Sequence, residues 1–288
     1  MWNNLEMNYR ERLARVQDQE RLTADLDWLK MIPTSELIKR GDISHQPNRM
    51  SLLRATLGFF GVSSTQVWKE YWQNPAAAAR KSRAFAANPG AVAAWMRLGE
   101  LQAQKVTCQP YDKSKFKTVL EDIRELTIQP PEQFIPKMNE LCASAGVALV
   151  LVPEMKGAPL SGLTRWLTPG KAMIQLSLRY KADDQFWFSF FHEAGHVLND
   201  RKKEVFIHDH DANGPEEQTA NQFAAEFLIP SKHMSELRSL KTTTAVVAFA
   251  RRLGIAPGIV VGRLQKEGII AYSYLNRLKR RFVWSNAA

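Results

Sequence analysis

Along residues 1 to 105 the apolar positions recur at helical spacing and do not alternate with period two. Leu5, Tyr9, Leu13 and Val16, then Leu22, Leu26 and Leu29, form stripes that stop at Pro33, a residue that cannot continue a helix. Arg54 to Trp72 reads as a helix pair broken at Gly61, and Ala76 to Arg97 as alanine-rich helix around a single turn at Asn88-Pro89-Gly90. From Lys113 the pattern predicts two more helices, which reach Ala145.

Strands follow. Val147 to Val152 and Gly162 to Leu167 are short apolar candidates. In Ala172 to Leu178, Ile174, Leu176 and Leu178 alternate with Met173, Gln175 and Ser177, which predicts one buried and one polar face. Placed at a sheet edge, this third strand could bind an extended peptide by backbone pairing. It runs through Asp183-Asp184, a plausible N-terminal cap, into a strongly apolar helix, and further helices follow Pro230. The predicted class is therefore α+β: a helical region over 1–105, then a domain over 106–288 with a small sheet and C-terminal helices.

The apolar helix carries candidate chemistry. Residues 192 to 196 read His192-Glu193-Ala194-Gly195-His196, inside Phe186-Trp187-Phe188-Ser189-Phe190-Phe191 and Val197-Leu198. Histidines four apart on a helix project from one face one turn apart, so both can hold one zinc ion. Glu193, one residue round the helix, can reach a water at the metal and act as general base. The apolar stripe of Trp187, Phe190, Phe191, Ala194 and Leu198 turns Ser189, His192 and His196 another way, as ligands lining a cleft would be. Gly195 costs about 1 kcal/mol against alanine in mid-helix, so close packing is expected there.

A catalytic zinc takes three protein ligands and keeps a fourth position for water. Asp200 lies a further turn along the same helix, and one metal cannot be reached by three successive turns. The segment Pro215 to Pro230 reads as a second helix, with Pro215 in its first turn and acidic residues at its positive end. There Glu217, Ala220, Asn221, Ala224 and Leu228 share a face, and the alanines would let this helix pack on the first. Glu217 is the expected third ligand, with Glu216 its main rival. Glu226 reads as a solvated helix charge.

Composition changes the picture little. The 288 residues are 45% apolar and carry only Cys108 and Cys142, which is no disulfide framework and favours a reducing compartment. No stretch reaches membrane-spanning length and no secretory signal is visible, so a cytoplasmic protein is expected. The net charge of +10 lies partly in Arg201-Lys202-Lys203 and in Arg277, Lys279, Arg280 and Arg281. Such runs attract phosphates or acidic partners but are most often solvated faces; weak, sequence-indifferent DNA contact is the most they suggest. Ala250, Gly254 and Val260, like Leu57, Gly61 and Val67, have helix-turn-helix spacing, although a hairpin that simply packs is commoner. His208, Asp209, His210 and Asp211 could be taken for a second metal cluster. Adjacent loop residues point apart, however, so solvation or a place at the cleft rim is expected.

The run Gln185 to Leu198, followed by Glu217-Gln218-Thr219-Ala220-Asn221-Gln222-Phe223-Ala224-Ala225-Glu226-Phe227-Leu228-Ile229-Pro230, resembles the ImmA/IrrE family of zinc metallo-endopeptidases. In that family the glutamate three residues before the Ala-Asn pair is the third zinc ligand, which here is Glu217. The residue before Ala-Asn, often a second glutamate, is here Thr219. The resemblance extends from about Ser161 through Trp284, more loosely over 1–160, and is nearest the branch in which the peptidase follows a HigA-type antitoxin helix-turn-helix. Met1 to Tyr9 looks like the last helix of that module with the earlier helices missing, or else is an ordinary N-terminal helix. The resemblance implies a zincin-like fold, one Zn²⁺ or Mn²⁺ per chain, and selective cleavage of a regulatory protein, typically a helix-turn-helix repressor. It also implies a stress-response or toxin-antitoxin setting with a possible toxin partner. The competing expectation is a non-enzymatic, antitoxin-like regulator with a structural or vestigial zinc site. Retention of Glu193 favours the enzyme, because a structural site has no use for a base.

Overall fold

The computed structural model describes residues 25–73, 88–199, 205–208 and 214–284, with residues 6, 7, 9, 10 and 12. The apolar stripes before Leu26, the likeness of Met1 to Tyr9 to an antitoxin module, Arg201-Lys202-Lys203, Asp200 and the loop from Asp209 lie mostly or wholly outside these residues.

The first layer is helical: a 3₁₀ turn over Asp25–Met31, α1 (Thr34–Arg40), α2 (Arg49–Phe60), a short helical segment over Thr65–Trp68 and Lys69–Gln73, and α3 (Pro89–Lys105). Trp28, Phe60, Trp68 and Trp72 pack edge-on or tilted at its centre, the geometry in which ring edges meet ring faces. Gly61, at φ 69°, closes α2 in the left-handed region, as the sequence break predicts. The Asn88-Pro89-Gly90 turn is in fact the start of α3. Asn88 caps it by accepting from Ala91 N at 3.1 Å, and Pro89 occupies the first turn, where a missing N–H costs nothing.

Helices α4 (Lys113–Glu125) and α5 (Pro131–Ser144) lead into β1 (Val147–Leu151), β2 (Gly162–Thr168) and β3 (Lys171–Leu176). Then come α6 (Asp183–Asn199), β4 (Val205–His208), α7 (Pro215–Leu228), α8 (Thr243–Leu253) and α9 (Pro257–Lys266). The sheet order is β1-β3-β2-β4, with β1 parallel to β3, and β2 antiparallel to both β3 and β4. Ala148, Val150, Leu163 and Met173 join the core of the N-terminal helices, whereas Val147, Leu149, Ala172, Ile174 and Leu176 join that of α4 to α9. The sheet is the wall between two apolar cores, an α+β arrangement.

Two expectations for β3 fail for one reason. It is neither half-polar nor a sheet edge, since β1 and β2 flank it and α3 covers the face carrying Met173 and Gln175. Gln175 is fully buried and donates from Nε2 to Trp95 O at 2.8 Å, so its side chain is spent on α3 and does not face solvent. A paired backbone has no free ladder for a peptide; the outer strands are β1 and β4.

In the C-terminal basic cluster Lys279 and Arg280 face inward, whereas Arg277 and Arg281 are exposed. Asp183 and Asp184, buried at the start of α6, lie against Gly258 and Gly262 of α9; a Cβ there would come within 2.2 Å and 2.6 Å of their carboxylates. Lys279 Nζ lies 2.7 Å from Asp184 Oδ2 and 2.7 Å from Gln265 Oε1. Arg280 pairs with Asp183 at 3.5 Å and donates to the carbonyls of Thr127, Ile128 and Gln129, and Arg277 donates to Thr243 Oγ1 at 2.7 Å. Helices α8 and α9 meet at 113° about Gly254, the shape of a helix-turn-helix. The second helix is nevertheless buried along Gly258, Ile259, Val260, Val261 and Leu264, so it cannot enter a groove. No single helix among the described residues is long and apolar enough to cross a membrane.

Candidate metal centre

Helices α6 and α7 pack at unusually short range because small residues meet. A Cβ on Gly195 would lie 3.2 Å from Ala220 Cα and 3.2 Å from the Phe223 ring, so the costly mid-helix glycine is what admits α7. Phe191 and Phe227 stack at 5.0 Å further along. This contact brings Glu217 over the histidine face.

His192 Nε2 and His196 Nε2 lie 3.1 Å apart, and the Glu217 carboxylate is 3.2 Å from each. Zinc with bonds of about 2.0–2.1 Å to tetrahedral ligands sets them about 3.3 Å from one another, and the three donor groups, with Glu217 facing His192 through Oε2 and His196 through Oε1, stand at that spacing. Two imidazole nitrogens and a carboxylate are also the donor types that zinc takes in hydrolases. Among the described residues this is the one cluster of three or more such donors. The histidines are buried and Glu217 is 12% exposed, whereas its rival Glu216 is exposed and outside the cluster. Glu226 accepts from Ser231 N at 2.9 Å, which tethers the chain after α7 and places it away from the metal donors.

Asn221, one turn beyond Glu217, has its Oδ1 3.0 Å from His192 Nδ1. An amide oxygen only accepts, so Nδ1 carries the proton and Nε2 is left with its lone pair toward the other donors. Sequence reasoning placed Asn221 on the Glu217 face but gave it no role; the four-residue spacing was the available signal.

Glu193 is fully buried and stands outside the donor cluster. Its carboxylate lies along β2. Thr164 Oγ1 is 2.7 Å from Oε2 and 3.0 Å from the Glu193 carbonyl, and a Cβ on Gly162 would come within 2.5 Å of Oε1. Gly162 and Thr164, which sequence reasoning missed, thus fix the carboxylate from the strand side. Opposite Gly162 in the sheet is His208, whose backbone therefore runs beside this position.

No curated protein matches the chain. Residues 148–265, the segment from β1 to α9 that holds every one of these side chains, match the IrrE N-terminal-like domain of the Peptidase_M78 family, which supports a metallopeptidase domain of the ImmA/IrrE kind.

Proposed function

We propose that this protein is a zinc endopeptidase that makes selective cuts in a regulatory protein, such as a helix-turn-helix repressor. The observation that carries the reading is the triangle of His192, His196 and Glu217, with buried Glu193 beside it and outside it. Bound there, Zn²⁺ (or Mn²⁺) would supply Lewis acidity, polarising a scissile carbonyl and making water acidic enough to lose a proton near neutrality. Glu193 accepts that proton and delivers it to the leaving amine. Thr164 and Gly162 keep its carboxylate in one orientation, and Asn221 does the same for His192. The outer strand β4, packed against α6, replaces β3 as the edge on which an extended substrate segment can pair. A target must then offer a mobile segment such as an interdomain linker.

The test is to incubate zinc-loaded protein with repressors encoded by neighbouring genes and with casein. A single cut in a repressor, slowed at least about 10²-fold in Glu193→Gln with zinc still bound, is expected. Rapid cutting of casein at many sites would refute the selectivity. No cleavage of any co-encoded repressor would favour the regulator instead, as would a tight, specific DNA footprint at physiological salt, since phosphate-driven contact alone weakens steeply with salt.

A further inference from the structure

Strand β2 is held from both faces, and its alternating side chains divide the task. Gly162 and Thr164 face α6: Thr164 Oγ1 is 2.7 Å from the Glu193 carboxylate, and Gly162 leaves room for Oε1. Leu163 and Arg165 face the N-terminal helices, where Leu163 is fully buried in their core. Arg165 is only 9% exposed, and two separate segments of that helical layer grip its side chain.

Arg165 Nη2 donates to the Tyr71 hydroxyl at 2.8 Å, and its guanidinium carbon lies 5.2 Å and 5.1 Å from the centroids of the Tyr71 and Trp72 rings. Nη1 lies 3.6 Å from Glu100 Oε2 on α3, and Glu100 is itself 3.2 Å from Arg97 Nη1. Buried Trp72 donates to Phe60 O at 3.3 Å and Arg97 to Phe59 O at 2.7 Å, so both sides of the grip are tied to the end of α2. A planar guanidinium can meet ring faces, a hydroxyl and a carboxylate at once in one fixed geometry, which an ammonium cannot do.

Pairing with β3 and β4 fixes Thr164 within the plane of the sheet, opposite Ile174 and Phe206. Movement out of that plane, toward or away from Glu193, is opposed instead by what packs on the two faces of the strand. On the far face the residue next to Thr164 is Arg165.

We propose that Arg165 is a positioning residue for Glu193: held by Tyr71, Trp72 and Glu100, it keeps Thr164 at hydrogen-bond distance from the carboxylate. The N-terminal helical layer thereby takes part in orienting the base. The catalytic consequence rests on the peptidase reading, under which a misplacement of about 1 Å costs about 10²-fold in rate.

The test uses the full-length, zinc-loaded protein and its Arg165→Met, Arg165→Lys, Tyr71→Phe and Thr164→Val variants, with each Arg165 change also combined with Thr164→Val. The first readout needs no turnover: the Glu193 carboxyl resonance in protein carrying ¹³C-labelled glutamate, identified by its loss in Glu193→Gln and recorded at one fixed pH. Thr164→Val and Arg165→Met should move it in the same direction, Arg165→Lys and Tyr71→Phe less far, and the double variants no further than Thr164→Val alone. Zinc should stay at about one per chain throughout. On a repressor that the parent cuts, Arg165→Met should lower kcat at least about tenfold with KM changed less than about twofold. In the Thr164→Val background the same change should add less than about twofold, because the two residues act in series. A merely structural arginine would lower stability and leave both the resonance and kcat per bound zinc unchanged, and that result overturns the proposal. So do Arg165 and Thr164 effects that multiply. Should Arg165→Met fail to fold, Arg165→Lys and Tyr71→Phe decide in the same way, and an unmoved resonance in both is fatal. A resonance that moves as expected in a protein that cuts no repressor or peptide upholds the hold of Arg165 on Glu193 and sinks the peptidase reading instead.

Discussion

His192 and Asn221 join the two helices of the candidate metal centre through one hydrogen bond, Nδ1 to Oδ1 at 3.0 Å. That bond sets the tautomer of a ligand and ties the register of α7 to that of α6. Asn221→Ala is expected to lower zinc affinity by about 10–100-fold, the usual effect of losing a ligand's hydrogen-bond partner, while Asn221→Asp, which keeps the acceptor, should retain most of it. Competition with a chromophoric chelator measures both, and equal affinity in Asn221→Ala would show that the bond does not orient the ligand.

The ligand set should be legible in metal content. We expect about one zinc per chain, greatly reduced in His192→Ala, His196→Ala and Glu217→Ala and unchanged in Glu216→Ala, which replaces an exposed side chain outside the cluster. Full zinc in Glu217→Ala together with loss in Glu216→Ala would reverse the assignment.

Lys279 holds Asp184, whose side chain is only 4% exposed, at 2.7 Å. Removing one partner of a buried pair leaves the other charge without compensation, which typically costs about 3–5 kcal/mol. Lys279→Met should therefore lower the urea midpoint clearly, and the double change Lys279→Met with Asp184→Leu should recover part of the loss. Were the single variant as stable as the parent, the contact would be a surface decoration.

The neighbouring Asp183 gives a pH signature. Burial, reinforced by the charge of Asp184 and opposed by its contacts with Arg280, pushes its carboxyl above the ordinary value of 3.8. A raised pKa means that the folded protein favours the protonated form. Its contribution to stability is thus full below the unfolded value, near 3.8, and is lost as pH rises through the folded one. Asp183→Asn cannot ionise, so its stability relative to the parent should improve as pH rises from the ordinary carboxylate range toward neutrality. Denaturant titrations at several pH values check this; a constant difference between the two proteins would contradict it.

Much of the centre was legible in the sequence because helical faces are local. His192, His196 and Glu193 lie within five residues, and the 3.6-residue period alone decides which way they point. The same period put Glu217, Ala220 and Asn221 on one face of α7, and the cost of a mid-helix glycine at Gly195 foretold the close approach that Ala220 and Phe223 make. The α+β class and the three strands before the metal helix followed from periodicity in the same way.

What only the tertiary structure decided are relationships between segments far apart in the chain. β3 alternates apolar and polar residues like a half-exposed edge, yet β1 and β2 flank it and α3, some seventy residues earlier, covers its second face. Strand order and the covering of a face depend on which distant surfaces bury one another, and local alternation cannot report that. Lys279 and Arg280 read as a basic run in sequence, but folding sets them against Asp183 and Asp184, about a hundred residues away. Charge along a chain is additive and visible. Its pairing is fixed only when burial makes an unmatched carboxylate too costly to leave alone.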